Sequence, residues 1–190
     1  MAHTPLMTSL GADSSLARKV AMVAFGSVLV GMSAQVSVPM FPVPMTLQTL
    51  AISLIGLTYG ARLAGVTLLA YLAQASAGLP FFAGGAAGVV HLAGPTGGFL
   101  VGFAAMAWLT GFLVERGLDR GLGRLFLAAF IPALLLFVPG VAWLWFITPL
   151  DLQGALMAGA VPFQLGGIVK SAVAALIVTG AFKALKDRLM

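Results

Sequence analysis

Long apolar runs, separated by short polar or Pro/Gly-rich breaks, make up most of the chain. No Asp, Glu, Lys or Arg interrupts residues 20–61 or residues 63–114. A helix that crosses a bilayer needs about 20 mostly apolar residues. The pattern predicts six membrane helices, at about residues 19–36, 46–59, 63–77, 99–114, 125–147 and 163–185. The second and third are short, so we expect them to tilt, or to span only part of the membrane where loops enter it.

Two of the breaks are unusual for their proline or glycine content. Residues 38–44, here called the proline loop, hold three prolines and cannot continue a helix. Residues 78–98, the glycine loop, hold seven of the chain's 24 glycines, two of its ten prolines and no charge. Irregular backbone at membrane depth is tolerated only where protein buries it or where it lines a cavity. We therefore expect the glycine loop to cover or line a pocket; an ordinary surface connection is the alternative.

The composition agrees with a membrane protein. The 190 residues are 61% hydrophobic and 8% charged, with a mean hydropathy of +1.09, whereas soluble domains carry about 25% charged residues. We predict an all-α integral membrane protein that forms a single membrane domain over residues 1–190. Residues 1–16 would be a cytosolic lead-in and residues 17–187 a six-helix bundle. Without cysteine, disulfides and thiolate metal sites are excluded, and the pattern indicates neither another metal site nor a nucleic-acid partner.

The basic residues predict an orientation. If the six segments alternate in direction, nine Lys and Arg residues fall on one side and none on the other. By the positive-inside rule, both termini are then cytoplasmic in a multi-pass cell-membrane protein. The proline loop, the glycine loop and the connection that carries Asp151 share the outer face. The nine residues are Arg18, Lys19, Arg62, Arg116, Arg120, Arg124, Lys183, Lys186 and Arg188.

Lys170 is the remaining basic residue, and it lies inside the sixth predicted segment. It is about seven residues from the outer end, or about 10 Å at the rise of an α-helix. An ammonium at that depth is costly and usually faces a partner, a ligand or the bundle interior. Alternatively, its head reaches back to the interface while its stem covers apolar surface. The six segments contain no Asp or Glu, so an anionic ligand such as a carboxylate would supply a partner.

Other polar residues of the apolar region have two interpretations. Gln48, Gln74, Gln164 and Tyr71 either bond backbone carbonyls freed by neighbouring prolines or contact a ligand. His91, in the glycine loop, is either a hydrogen-bonded structural residue or part of the site.

The sequence lacks the residues that several classes of function require. In residues 166–171 no Gly precedes the Lys directly, so a phosphate-binding P-loop is missing. The chain has no paired carboxylates and no convincing Ser/His/Asp set, so we do not expect an enzyme. Ion-coupled carriers commonly use intramembrane carboxylates, which also argues against a small secondary carrier.

Four motifs together resemble the BioY family, the biotin-binding S components of energy-coupling factor (ECF) vitamin transporters. They are VPMTLQTL at residues 43–50, GLPFFAGG at 78–85, GPTGG at 94–98 and PFQLGGIVK at 162–170. The similarity covers about residues 17–185. It implies six membrane helices and an outward-facing vitamin pocket closed by apolar loops. It also implies that a separate T component and partner ATPases supply the energy, so that ATP is used only by those partners.

The resemblance implies a ligand site without a covalent cofactor. The bicyclic head of biotin would pack among apolar loop residues such as Phe81 and Phe82, with Gly84, Gly85 and Thr96 allowing close approach. Lys170 would anchor a polar end of the ligand. Gln164, Gln74, Tyr71 and His91 complete the candidate site. On the first helix, Ala17 and Ala21 have the spacing of small residues that lets helices approach closely, and the resemblance implies that they contact the T component.

One position departs from the family pattern. The family usually has Asp three residues before the Lys, and this chain has Gly167 there. Positions i and i+3 share a helix face, so the change removes an acceptor beside Lys170. Either Gln164 or Gln74 replaces that acceptor, or the ligand is no longer biotin. A non-transporting membrane scaffold or assembly subunit is a further alternative, and homo-oligomerisation is left open.

Overall fold

The computed structural model describes residues 15–189, with side chains described through residue 184. Over that range the chain forms helices and one small hairpin. The elements are α1 (Leu16–Gln35), β1 (Ser37–Val38), β2 (Met45–Thr46), α2 (Gln48–Tyr59), α3 (Ala61–Ser76), α4 (Gly97–Glu115), α5 (Leu122–Leu135), α6 (Phe137–Ile147), α7 (Leu152–Gly159) and α8 (Gln164–Leu189). Short 3₁₀ turns cover Ala83–Gly85, Val89–Ala93 and Val161–Phe163.

The apolar segments coincide with helices, as the hydropathy pattern predicts. Four stretches are long and apolar enough to cross a membrane: Leu16–Gln35, Gly97–Glu115, Leu122–Ile147 and Leu152–Ala184. The helices α2 and α3, with 12 and 16 residues, are shorter. The protein is therefore a mainly helical membrane protein, whereas six complete spans and cytoplasmic termini stay predictions. Most of the predicted lead-in, residues 1–14, lies outside the described residues.

The structure contains two elements that the sequence analysis did not predict, a hairpin and a short helix. The ends of the proline loop pair as an antiparallel hairpin, with Ser37 opposite Thr46 and Val38 opposite Met45. The connection predicted over residues 148–162 contains the eight-residue helix α7. Its start is capped by Asp151, whose Oδ1 accepts a hydrogen bond of 2.7 Å from the N–H of Gly154. Both elements are too short to show a clear hydrophobic period.

The fifth predicted segment contains Pro132 and Pro139, which predict a kink or a division of its helix. A helical residue normally donates its N–H to the carbonyl four residues earlier, but Pro139 has no N–H for Leu135. Regular helical hydrogen bonding is interrupted at Leu136, between α5 and α6, although Leu136 keeps helical φ and ψ angles of −56° and −31°. The two helices therefore follow each other without a loop between them.

The bundle is organised around α4, which packs against α2, α3, α5 and α6. Glycines bring its backbone close to its neighbours. A Cβ added at Gly98 would collide with Trp143 and with the carbonyl oxygen of Pro139, and one added at Gly111 would collide with the backbone of Gly60 and Ala61. In a membrane, where no hydrophobic effect drives helices together, such close contact is a main source of stability.

The charged connections and the two loops lie at opposite ends of the bundle. At one end the carboxylate of Glu115, the last residue of α4, accepts a hydrogen bond of 2.9 Å from the N–H of Ala61. It thereby caps α3, whose own N-cap residue, Gly60, has no side chain. Arg116 lies over the ring of Phe112 at the same end. At the other end, the last residue of α1 contacts the glycine loop, as described below.

Candidate ligand-binding cavity

A cavity of about 300 Å³ lies between the proline loop, the glycine loop and the adjoining helices. Most of its wall is apolar and aromatic, as is usual for small-molecule sites. The hydrophobic lining residues are Val43, Pro44, Phe82, Ala83, Ala86, Pro95, Phe99, Leu100, Phe103, Ala133, Leu136, Phe137 and Phe163. Thr46, Gln48, Thr49, His91, Thr96 and Lys170 contribute polar groups, and Gly94 and Gly167 contribute backbone.

Lys170 is the one charged side chain among the described residues that line this cavity. Its Nζ donates a hydrogen bond of 2.9 Å to the carbonyl oxygen of Thr46, which ends β2. The half-buried side chain therefore holds its ammonium against the hairpin formed by the ends of the proline loop, on the cavity wall. A neutral carbonyl leaves its charge without a counter-ion in the cavity. An anionic or strongly accepting ligand group would interact favourably with it.

A chain of hydrogen bonds runs from Lys170 to the glycine loop. Beyond the Thr46 carbonyl, the Thr46 hydroxyl donates to Oε1 of Gln48 over 3.0 Å. The Nε2 of Gln48 donates to the hydroxyl of Tyr71 over 2.7 Å. That hydroxyl in turn donates to the carbonyl of Phe81 over 3.2 Å. The chain links α8, α2 and α3 to the loop that carries Phe82, and so fixes one wall of the cavity.

A second set of bonds ties the glycine loop to α1. Nε2 of Gln35 donates to the carbonyls of Pro80 and Phe82 over 3.2 and 3.1 Å. Its Oε1 accepts from the N–H of Gly85 over 2.8 Å. At the far end of the loop, the indole N–H of Trp143 donates to the carbonyl of Gly94 over 2.9 Å. These bonds explain how a segment without long helices keeps one shape.

Replacing Gln35 with leucine should loosen the glycine loop. The change removes the bonds to Pro80, Phe82 and Gly85, each worth about 0.5–1.5 kcal/mol. Amide hydrogen exchange of residues 81–86 should accelerate about fivefold or more. Gln153→Leu, the same change at an exposed position on α7, should leave those amides unaffected. Equal exchange rates in the Gln35 variant and the unchanged protein would show that Gln35 does not hold the loop.

The structure brings four of the predicted site residues to the cavity wall. They are Lys170, Phe82, His91 and Thr96. The side chain of Phe82 is only 3% exposed, and the centroid of its ring lies 5.9 Å from the centroid of the His91 ring. The wall also contains Gly167, where an added Cβ would meet nothing within 4 Å. Crowding therefore does not explain why this position lacks a carboxylate.

Four other predicted residues lie outside the cavity wall. Phe81 stacks on Tyr71, and its ring fills the space beside Gly31 of α1. Tyr71 bonds to the carbonyl of Phe81, next to Pro80, and Gln164 donates to the carbonyl of Ala160 over 3.3 Å, two residues before Pro162. Tyr71 and Gln164 therefore bond backbone carbonyls, but not carbonyls freed by a proline, since the carbonyl of Ala160 also accepts from the N–H of Phe163. Gln74 is also absent from the wall, and its buried Oε1 has no hydrogen-bond partner.

Gly84 and Gly85 also lie away from the cavity, in an exposed turn. Their φ angles are +70° and +73°, a conformation that residues with a Cβ rarely adopt. An added Cβ at either position would meet nothing within 4 Å. These glycines are needed for backbone conformation, and the structure shows no close approach to the cavity there.

Sequence reasoning missed several wall residues. Gln48 was recognised as an intramembrane polar group, but Thr46, Thr49 and the aromatic residues of the helical wall were not identified. Two of these threonines lie in the VPMTLQTL motif at residues 43–50, which was the available signal. The aromatic wall residues, Phe99, Phe103, Phe137 and Phe163, have no local signal because the helices around them are apolar on all sides.

The suggested partner-contact residues lie away from the cavity. Ala17 and Ala21 are both exposed on the first turns of α1, one helical turn apart. Their contact with another protein stays a prediction.

The fold and the cavity define a class: a small polytopic helical membrane protein with a mainly apolar ligand cavity closed by loops. The comparisons with known proteins agree. The BioY family model matches residues 4–187. This chain belongs to the BioY family.

Relatives and a solved structure place the chain more closely. It is 34% identical over 161 residues to a probable biotin transporter BioY of Pyrococcus horikoshii, covering 85% of this chain and 94% of the relative. It is 35% identical over 157 residues to the biotin transporter BioY of Rhizobium etli, covering 79% and 83%. The fold resembles the crystal structure of the S-component for biotin from an ECF-type ABC transporter. The TM-score between the two structures is 0.78 and the sequence identity is 22%. The match covers 88% of this chain and 92% of the other chain.

Proposed function

We propose that this chain is the biotin-binding S component of an ECF transporter, which captures biotin in the loop-closed cavity and does not act as an enzyme. The observation that carries the proposal is the single ammonium of Lys170 in a mainly apolar and aromatic cavity. Biotin combines an apolar bicycle and chain with a polar ureido group at one end and a carboxylate at the other. Its apolar surface suits the wall formed by Phe82, Phe99 and Phe137, and either polar end can accept hydrogen bonds from Lys170.

The loops support the direction of capture. They close the cavity at the end of the bundle opposite the basic connections, and the positive-inside rule puts that end outside the cell. We therefore propose six spans with both termini cytoplasmic, and biotin entry from the outer face. Energy would come from partner ATPases through a T component, which would approach the exposed Ala17 and Ala21 on α1.

Uptake in cells tests this proposal. A biotin-auxotrophic bacterium that lacks its own transporter would express this chain alone, or together with a T component and ATPases. We expect growth on nanomolar biotin only when the chain is present, and an increase when the partners are added. Failure of every combination, with the chain shown to be in the membrane, would contradict transport and favour the scaffold alternative. Uptake of a different vitamin by the same cells would support an S component with another ligand.

A further inference from the structure

The ammonium of Lys170 has no carboxylate beside it in the described part of the protein. Besides the cavity, Lys170 lines a second, more open groove of about 480 Å³ between the hairpin β1–β2 and α8. The described residues that line the cavity and the groove include no Asp or Glu. The ammonium donates to the neutral carbonyl of Thr46, and its remaining N–H groups are available to a ligand. A cation in such surroundings is unfavourable unless an anion reaches it.

Gly167 leaves open space next to this ammonium. It precedes Lys170 by three residues, and positions i and i+3 share a helix face. Both residues line the cavity, and a Cβ added at Gly167 would meet no atom within 4 Å. The wall therefore has room for ligand atoms at a position where a side chain could otherwise have provided a negative charge.

The side of the wall formed by β2, α2 and α8 is short of acceptors. The hydroxyl of Thr46 donates to Oε1 of Gln48 and accepts from the backbone N–H of Gln48. The amide nitrogen of Gln48 donates to Tyr71. The Oγ1 of Thr49 is buried, out of reach of a ligand. A ligand group placed here therefore meets the N–H donors of Lys170 and no free side-chain acceptor among the described residues.

The two polar ends of biotin need different partners. The carboxylate only accepts hydrogen bonds, and it carries the charge that the ammonium lacks. The ureido group is neutral and has N–H donors, which would stay unpaired on the α8 side, and an unpaired buried donor is costly. On the glycine loop, His91 and Thr96 line the cavity, and an imidazole nitrogen and a hydroxyl oxygen can accept hydrogen bonds. The ureido end is therefore better satisfied at the glycine loop.

We propose that Gly167 makes the cavity selective for ligands with a free carboxylate, which pairs with the ammonium of Lys170. The inference rests on the proposed function and extends it, because it assigns the carboxylate of biotin to α8 and the ureido end to the glycine loop. Neither Gln164 nor Gln74 replaces the acceptor that Gly167 lacks, since both lie off the wall. No replacement is needed, because the ligand itself supplies the negative charge.

Biotinamide tests the charge on the ligand, because a neutral amide replaces the carboxylate at nearly the same size. The unchanged, detergent-purified protein should bind biotinamide about 30-fold more weakly than biotin, as expected for loss of one partner of a buried charge pair. Competition with radiolabelled biotin gives both affinities. This comparison needs no variant, so it does not depend on how a substitution affects folding. Binding of biotinamide within about threefold of biotin would overturn the inference and leave the proposed function intact.

Gly167→Asp tests the charge on the wall. The new carboxylate lies on the same helix face as Lys170 and competes with the ligand. Biotin binding should weaken about 30-fold, whereas biotinamide binding should change less than about threefold. Gly167→Asn is the matched control, because it has nearly the same shape without the charge, and it should keep the preference for biotin over biotinamide.

Three results with these variants would overturn the inference. Tighter biotin binding by Gly167→Asp would show that the ureido end, not the carboxylate, meets α8. An unchanged preference for biotin in Gly167→Asp would show that the ligand carboxylate lies elsewhere. Loss of the preference in Gly167→Asn would assign the selectivity to shape and not to charge. Absence of biotin binding by the unchanged protein would overturn the proposed function as well, so the two failures are distinct.

Discussion

Replacing Lys170 with methionine should weaken biotin binding about 100-fold or more while the protein stays folded. The ammonium is the one charge on the described cavity wall, and its bond to the Thr46 carbonyl holds it at the cavity in which we propose that biotin binds. Removing one partner of a buried charged contact costs about 2–5 kcal/mol, and every 1.4 kcal/mol is a factor of ten in affinity. Methionine has a similar length and adapts to irregular apolar space, so we expect the packing of α8 to survive.

Lys183→Met provides the matched control for this prediction. It makes the same change on the same helix, at an exposed position near the other end of α8. Binding of radiolabelled biotin to detergent-purified protein should be unchanged in the control and lost in the Lys170 variant. A monodisperse Lys170→Met protein that binds within threefold of the unchanged chain would remove Lys170 from the site.

Adding a single methyl group at Gly111 should destabilise the bundle by about 3 kcal/mol, the upper end of typical overpacking costs. The added Cβ would collide with the backbone of Gly60 and Ala61, where α2 passes into α3. A side chain can rotate away, but this backbone is held by the bond between Ala61 and the Glu115 carboxylate. The conflict can be relieved only by separating α4 from α3.

Thermal unfolding in detergent measures this effect. For a chain of this size, about 3 kcal/mol corresponds to a fall in Tm of about 6–12 °C. Gly180→Ala is the control, because an added Cβ there, in α8, meets nothing within 4 Å. It should leave Tm unchanged or raise it slightly, since alanine favours a helix. Equal Tm values for the two variants would contradict the close contact at Gly111.

The sequence predicted the parts of the fold that depend on many residues together. Apolar runs located the helices, Pro132 and Pro139 predicted a kink or a division of segment five, and the glycine loop was assigned to a pocket because irregular apolar backbone needs burial. Lys170 was found for the same kind of reason, since a charge at membrane depth requires a partner. In each case the sequence alone showed which group or backbone segment would be unfavourable in a membrane unless the protein buried or paired it.

The details of the wall were not predictable in the same way. A helix that is apolar all round shows no polar face, so the sequence could not tell that Tyr71 and Gln164 bond to carbonyls while Thr49 lines the cavity. The position of Thr49 on the wall depends on α2 beginning at Gln48, and helix boundaries in sequence analysis are uncertain by more than one residue. Likewise, a glycine in the sequence does not reveal whether it is needed for a positive φ angle, as at Gly84, or for close helix packing, as at Gly111.

Biotin titration of the detergent-purified, unchanged protein by isothermal calorimetry tests the central claim most directly, with thiamine as the comparator. We predict saturable binding of one biotin per chain and no binding of thiamine. That result would show that the cavity works with glycine at position 167. No heat of binding with biotin, from a folded and monodisperse sample and at more than one temperature, would contradict the claim that this cavity is a biotin site.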